Sequence, residues 1–188
     1  MEHFQQEVTR YETPKVYPFE RLLEHNSYKF EEDKIYSFRD TIEPVSSIRT
    51  KLFTGFKKAC HDIYKFDSKT EKDLVILLED DDYVLKWLRP AQNQFNIYWN
   101  NNSKKYEPDF VIETKDVIYL VEPKKEKEVT SSEVQEKAKA ALNYCKNATD
   151  YTSKNSGKPW KYVLLPHTIV GLNMGFDYLA KTYEYRDN

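Results

Sequence analysis

Ile48, Leu52, Phe53 and Phe56 recur at helical spacing, which predicts a helix weakened at Gly55. Further along, Ser68 and Glu71 stand three apart, ahead of Leu74, Val75, Ile76, Leu77 and Leu78. That is a capping box opening a helix, interrupted by Asp80-Asp81-Asp82. Val84, Leu85, Trp87 and Leu88 predict one more short helix, stopped by Pro90. The period then changes. Gln94 to Trp99 predicts a strand, Asn100 to Ser103 a turn, Tyr106 to Thr114 a second strand and Val117 to Lys124 a third. Ser132 with Gln135 predicts a second capping box, and Val134, Ala138, Ala141, Leu142 and Cys145 form the apolar stripe of its helix. Trp160 to Pro166 predicts a fourth strand, and Phe176 to Tyr183 a last short helix. This order predicts a mixed α/β domain over residues 46–188. Residues 1–45, broken by Pro14, Pro18 and Pro44, follow no period and are expected to form an arm or subdomain remnant packed on it.

The third and second strands can be registered by counting outward from their turn. A tight turn at Lys115-Asp116 pairs Thr114 with Val117, and stepping outward sets Asp109 opposite Glu122. Lys124 then shares a face with Glu122, because side chains two apart on a strand point the same way. Val111, Ile118 and Leu120 share the carboxylates' face, while Phe110, Ile112, Val117, Tyr119 and Val121 line the other. With both faces apolar, helices are expected over both. Two carboxylates placed together in such a setting repel unless a cation or proton intervenes.

A hard divalent ion with oxygen ligands is the natural companion of that pair. Magnesium, or manganese in its place, held by Asp109 and Glu122 would neutralise charge building on a phosphodiester and acidify an attacking water. Lys124 would orient that water or stabilise the developing charge. Pro123, which has no N–H, is expected at an edge or bulge, with its carbonyl oxygen as a further metal ligand. Glu71 is a candidate to join the site from the first helix, with helix capping as the equal alternative. Gln135 has the same two alternatives. Lys104, Lys105, Lys125, Lys127, Lys137 and Lys139 are either phosphate contacts or a solvated lysine face.

Composition narrows the setting. Hydrophobic residues make up 39% and aromatic residues 15%, enough for one core. The net charge of −2 excludes strong, autonomous DNA binding by bulk charge, so any nucleic-acid role needs a local patch or a partner. Cys60 and Cys145 form no CxxC, and His3, His25, His61 and His167 show no ligand spacing, so no zinc site is expected. No apolar run is long enough for a membrane helix and Met1 to Glu7 is no signal peptide, so a cytoplasmic location is expected.

Several stretches together carry a resemblance. They are Lys65-Phe66-Asp67-Ser68 with Glu71, Val84-Leu85-Lys86-Trp87-Leu88-Arg89-Pro90, Gln94-Phe95, Tyr106-Glu107-Pro108-Asp109-Phe110-Val111 and Tyr119-Leu120-Val121-Glu122-Pro123-Lys124. Lys158-Pro159-Trp160-Lys161-Tyr162 and Pro166-His167 complete the set. In order and spacing this resembles the C-terminal PD-(D/E)xK nuclease region of type III restriction enzyme Res subunits. The resemblance implies a restriction-endonuclease-like core, with Asp109, Glu122 and Lys124 catalytic and magnesium as the metal. It implies a magnesium-dependent endodeoxyribonuclease cutting double-stranded DNA in phage defence. It also implies a helicase/translocase or methyltransferase partner. Res subunits carry an ATP-driven motor, whereas the sole Gly-Lys pair here, Gly157-Lys158, is followed by Pro159 and makes no Walker A loop. An excised domain and a stand-alone relative are the alternatives. The competing functional class is a non-catalytic docking module for such a partner.

Overall fold

A computed structural model describes residues 35–99, 104–171 and 173–186. At its centre is a four-stranded mixed sheet in the order β3-β6-β7-β8, built from β3 (Val84–Leu88), β6 (Phe110–Thr114), β7 (Ile118–Lys124) and β8 (Trp160–Pro166). β3 and β7 run antiparallel to β6, and β8 runs parallel to β7. Two small ladders flank it. β1 (Ile35–Ser37) pairs in parallel with β2 (Leu52–Thr54), and β4 (Ile97–Trp99) pairs with β5 (Lys104–Tyr106) as an antiparallel ribbon. The helices are α1 (Lys69–Asp80), α2 (Glu126–Val129), α3 (Ser132–Ser153) and α4 (Phe176–Thr182).

Apolar side chains cover both faces of the sheet, as the alternation along β6 and β7 requires. Phe110, Ile112, Tyr119 and Val121 pack with Leu74, Val75, Leu77 and Leu78 of α1 and with Phe176 and Leu179 of α4. Leu120 and Val111 face the other way, against Val134, Ala138, Ala141 and Cys145 of α3. Phe38 and Ile42, before residue 46, belong to the first of these cores. Both outer edges of the sheet are occupied by irregular chain. Trp87 exchanges backbone bonds with Lys58 and Cys60, and Tyr162 and Leu164 pair with Tyr185 and Tyr183. Among the described residues, no helix is long and apolar enough to cross a membrane.

The structure revises several sequence expectations. The helix expected from Ile48 to Phe56 is a short 3-10 helix (Val45–Thr50) followed by β2. Gly55 follows with φ at +93°, in the left-handed region that favours glycine and ends a helix. Non-local packing overrides the local period here. Phe53 exchanges backbone bonds with Tyr64, and its ring lies 5.4 Å from that of Phe66. The helix expected at Val84 to Leu88 is strand β3. Its register with β6 shifts between Val84 and Lys86, which buries Val84 and Trp87, three apart, and so imitates a helical period.

The strand expected from Gln94 is confined to Ile97–Trp99, and the one expected from Tyr106 to Thr114 is split. β5 ends at Tyr106 and β6 begins at Phe110, with Glu107-Pro108-Asp109 between them. The turn expected at Asn100 to Ser103 lies outside the described residues. Ser68 does cap α1, its Oγ accepting from the Glu71 amide at 3.2 Å. The second capping box moves by one residue: Ser131 caps α3 by accepting from Val134, and Gln135 takes no part in the cap. The Gln135 amide instead donates to the Val129 carbonyl at 2.6 Å and accepts from the Tyr185 hydroxyl at 2.9 Å.

Candidate active site

β6 and β7 pair as Phe110 with Val121, Ile112 with Tyr119 and Glu113 with Ile118, the register counted from the turn. Asp109 immediately precedes β6, beyond the last pair and one step out along that register. Glu122 and Lys124 lie on the stretch of β7 that runs past the end of β6 while still pairing with Leu164 and Pro166 of β8. That overhang leaves one end of the central strand open on the β6 side. It brings Asp109, Glu122 and Lys124 into one electrostatic cluster.

Both oxygens of Glu122 are engaged. Lys124 forms an ion pair with Oε1, and the Tyr106 hydroxyl donates to Oε2 at 2.9 Å. The Glu122 side chain is only 5% exposed. Tyr162 sits beside the Tyr106 hydroxyl, and burial followed by the Glu122 charge drives both phenols well above their ordinary range. Both are therefore neutral, and the Tyr106 hydroxyl is the donor to Glu122. Burial of the Asp109 carboxyl, then the Glu122 charge, pushes it up to about 8 despite the attraction of Lys124. Lys124 is itself raised. Its burial acts the other way, and the pull of Glu122 and Asp109 prevails.

Glu71 approaches from the first turn of α1. Its carboxylate accepts from the Asp67 amide at 2.9 Å and pairs with Arg89 Nη2 at 3.0 Å. Burial raises the Glu71 carboxyl, with the Arg89 charge opposing. Glu71 lies within the field of Asp109 but is held by Arg89. Pro123 departs from expectation: it lies at neither an edge nor a bulge, but within β7 and opposite Leu165 in an unbroken ladder with β8. The ring is tolerated because β6 has already ended on its other side. The Pro123 carbonyl accepts from the His167 imidazole, whose basicity is lowered chiefly by burial.

The remaining lysines divide. Lys125 points to solvent, 63% exposed and 3.7 Å from Glu128. Lys104 and Lys137 lie over the ring of Trp99, at 4.7 and 5.9 Å from its centroid. Lys105 pairs with Glu107 at 2.8 Å. Trp87 is a core residue, 1% exposed.

Sequence reasoning missed Tyr106, Tyr162 and Arg89 as parts of this cluster. Arg89 had a detectable signal only if residues 84–88 were read as a strand paired with β6. Tyr162 had none, because the parallel register of β7 with β8 depends on the path of α3.

The donor chemistry suits a hard cation. With Asp109 ionised, Asp109, Glu122 and Glu71 set three carboxylates against two cations, Lys124 and Arg89, an imbalance that burial makes costly and that either a proton on Asp109 or a bound ion removes. Among the described residues, no three His, Cys, Asp or Glu side chains form a ligand set. An ion at Asp109 and Glu122 would complete its shell with main-chain or water oxygens. No family model matches the chain, and no curated protein matches it.

Proposed function

We propose that the chain is a magnesium-dependent endodeoxyribonuclease domain with a restriction-endonuclease-like core, acting on double-stranded DNA in a type III restriction-like defence system. The observation that carries this reading is the convergence of Asp109, Glu122 and Lys124 at the overhanging end of β7, partly buried and short of positive charge. Asp109 and Glu122 would hold the ion. A bound magnesium or manganese ion supplies charge neutralisation and acidifies the attacking water. Lys124, fixed by Glu122, presents its ammonium beside the reacting phosphoryl oxygens, while Tyr106 keeps the other Glu122 oxygen oriented. The chain's net charge of −2 makes a helicase/translocase or methyltransferase partner the source of most DNA affinity.

Calorimetric titration with Mn²⁺, on the wild type and on Asp109→Ala, tests the reading together with nicking of supercoiled plasmid in Mg²⁺. We expect saturable binding and nicking by the wild type, with both lost in the variant. Absence of binding and of nicking in the wild type, with a helicase/translocase or methyltransferase partner present as well as without it, would favour a docking module instead.

A further inference from the structure

The loop and first turn from Lys65 to Glu71 form an oxygen-rich cage, and Arg89 fills it. Arg89 Nη1 donates to the Lys65 carbonyl, and Nη2 lies 2.6 Å from Asp67 Oδ2 and 3.0 Å from Glu71 Oε2. One carbonyl and two carboxylates are the ligand types that hard divalent ions take. The Arg89 side chain is only 16% exposed and that of Glu71 only 11%, so that pair is sheltered from bulk water, whereas Asp67, 73% exposed, forms the open side of the cage.

The cage adjoins the candidate site. The β3–β6 ladder sets Leu88 opposite Val111, so Arg89, the next residue, reaches the end of β6 where Asp109 stands. Asp109 feels both Glu71 and Arg89. Yet Glu71 does not join Asp109 and Glu122 in a three-residue ligand set among the described residues. A guanidinium keeps its charge at any accessible pH and is pre-organised in a planar fork. It meets the loop's carboxylates without recruiting an ion from solution.

We infer that Arg89 is the resident cation of the Lys65–Glu71 cage, a positioning residue that stands where a second divalent ion would otherwise bind and limits the site to a single ion. This rests on the nuclease reading in one respect, that Asp109 and Glu122 hold an ion. Glu71 then anchors Arg89 and does not ligate metal.

The test counts Mn²⁺ on the whole chain by calorimetry, with electron paramagnetic resonance separating isolated ions from exchange-coupled pairs. The wild type and Arg89→Lys should each bind one isolated ion. Arg89→Met should bind two, and the second should disappear in Arg89→Met/Glu71→Gln. Because Arg89→Met leaves Glu71 buried and unpaired, its folding is followed by circular dichroism with and without Mn²⁺. A larger Mn²⁺-dependent rise in Tm than in the wild type is expected. Two coupled ions on the wild type, or one ion on a folded Arg89→Met, would overturn the inference. So would an Arg89→Met chain that stays unfolded at saturating Mn²⁺, since the ion then cannot replace the guanidinium. A wild type that binds no ion defeats the nuclease reading itself, and this inference with it.

Discussion

The two ends of the β6–β7 hairpin carry the same kinds of residue and put them to different ends. At the turn end, Lys158 pairs with Glu113 at 2.6 Å and donates to the Thr114 carbonyl at 2.7 Å. Those side chains are 28% and 39% exposed, each charge has a partner, and water screens the rest. At the open end, Lys124 pairs with Glu122, but Glu122 is only 5% exposed and a second carboxylate, Asp109, shares its surroundings. A lysine beside a glutamate is thus no sign of chemistry by itself. Burial and a second carboxylate make the open end a place where a proton or a cation must offset the charge.

The largest effect should come from Lys124→Ala. Removing a preorganised charge at a reacting centre costs ~10²–10³ in rate. Plasmid nicking by the partner-assembled complex should fall by that order while Mn²⁺ binding survives. Lys125→Ala, altering a side chain that points to solvent, should change nicking little. Equal losses in the two variants would dissolve the distinction between the strand faces.

A smaller effect separates the ends by pH. The Asp109 carboxyl is raised in the folded state to about 8. Its ordinary value is about 4 in an unfolded chain. Protonation therefore favours the fold. This contribution is complete below about pH 4 and lost as pH rises to about 8. Chemical denaturation in EDTA should show stability declining across that window, with the decline much reduced in Asp109→Asn. Saturating Mn²⁺ should reverse it at the alkaline side. A flat profile for the wild type would show that Asp109 is not strained in the way its surroundings imply.

The smallest effect belongs to the turn end. Lys158→Ala should cost about 0–1 kcal/mol, as for other solvent-accessible pairs. Nicking and Mn²⁺ affinity should be unchanged. A large loss of either would mean that the turn end contributes to the site and that the contrast is false.

Much of the open end is legible in the sequence because it is local. The turn at Lys115-Asp116 fixes the β6–β7 register by counting, and alternation then assigns each side chain to a face. The capping box at Ser68 and Glu71 is equally local, since its hydrogen bond spans three residues. The sequence is misleading where a distant partner decides. Residues 84–88 carry a helix-like spacing, and pairing with β6, together with the shifted register, makes them a strand. Ile48 to Phe56 show the same conflict, resolved by Tyr64 and Phe66. Ser132 with Gln135 fits a capping box, but Ser131 takes the cap and Gln135 ties the Val129 carbonyl to Tyr185, a contact no local pattern reports.

By itself, then, the sequence determined that β6 and β7 form a hairpin with two apolar faces and with Asp109, Glu122 and Lys124 at one end. Periodicity and register are properties of neighbouring residues along the chain. Only the tertiary structure decided how that end is electrostatically composed. Tyr106 comes from the side ribbon, Tyr162 from a parallel strand reached through α3, and Glu71 and Arg89 from α1 and the end of β3. Burial and Coulomb forces depend on distance in space, so the charge balance around Asp109 exists only once those four segments have packed together.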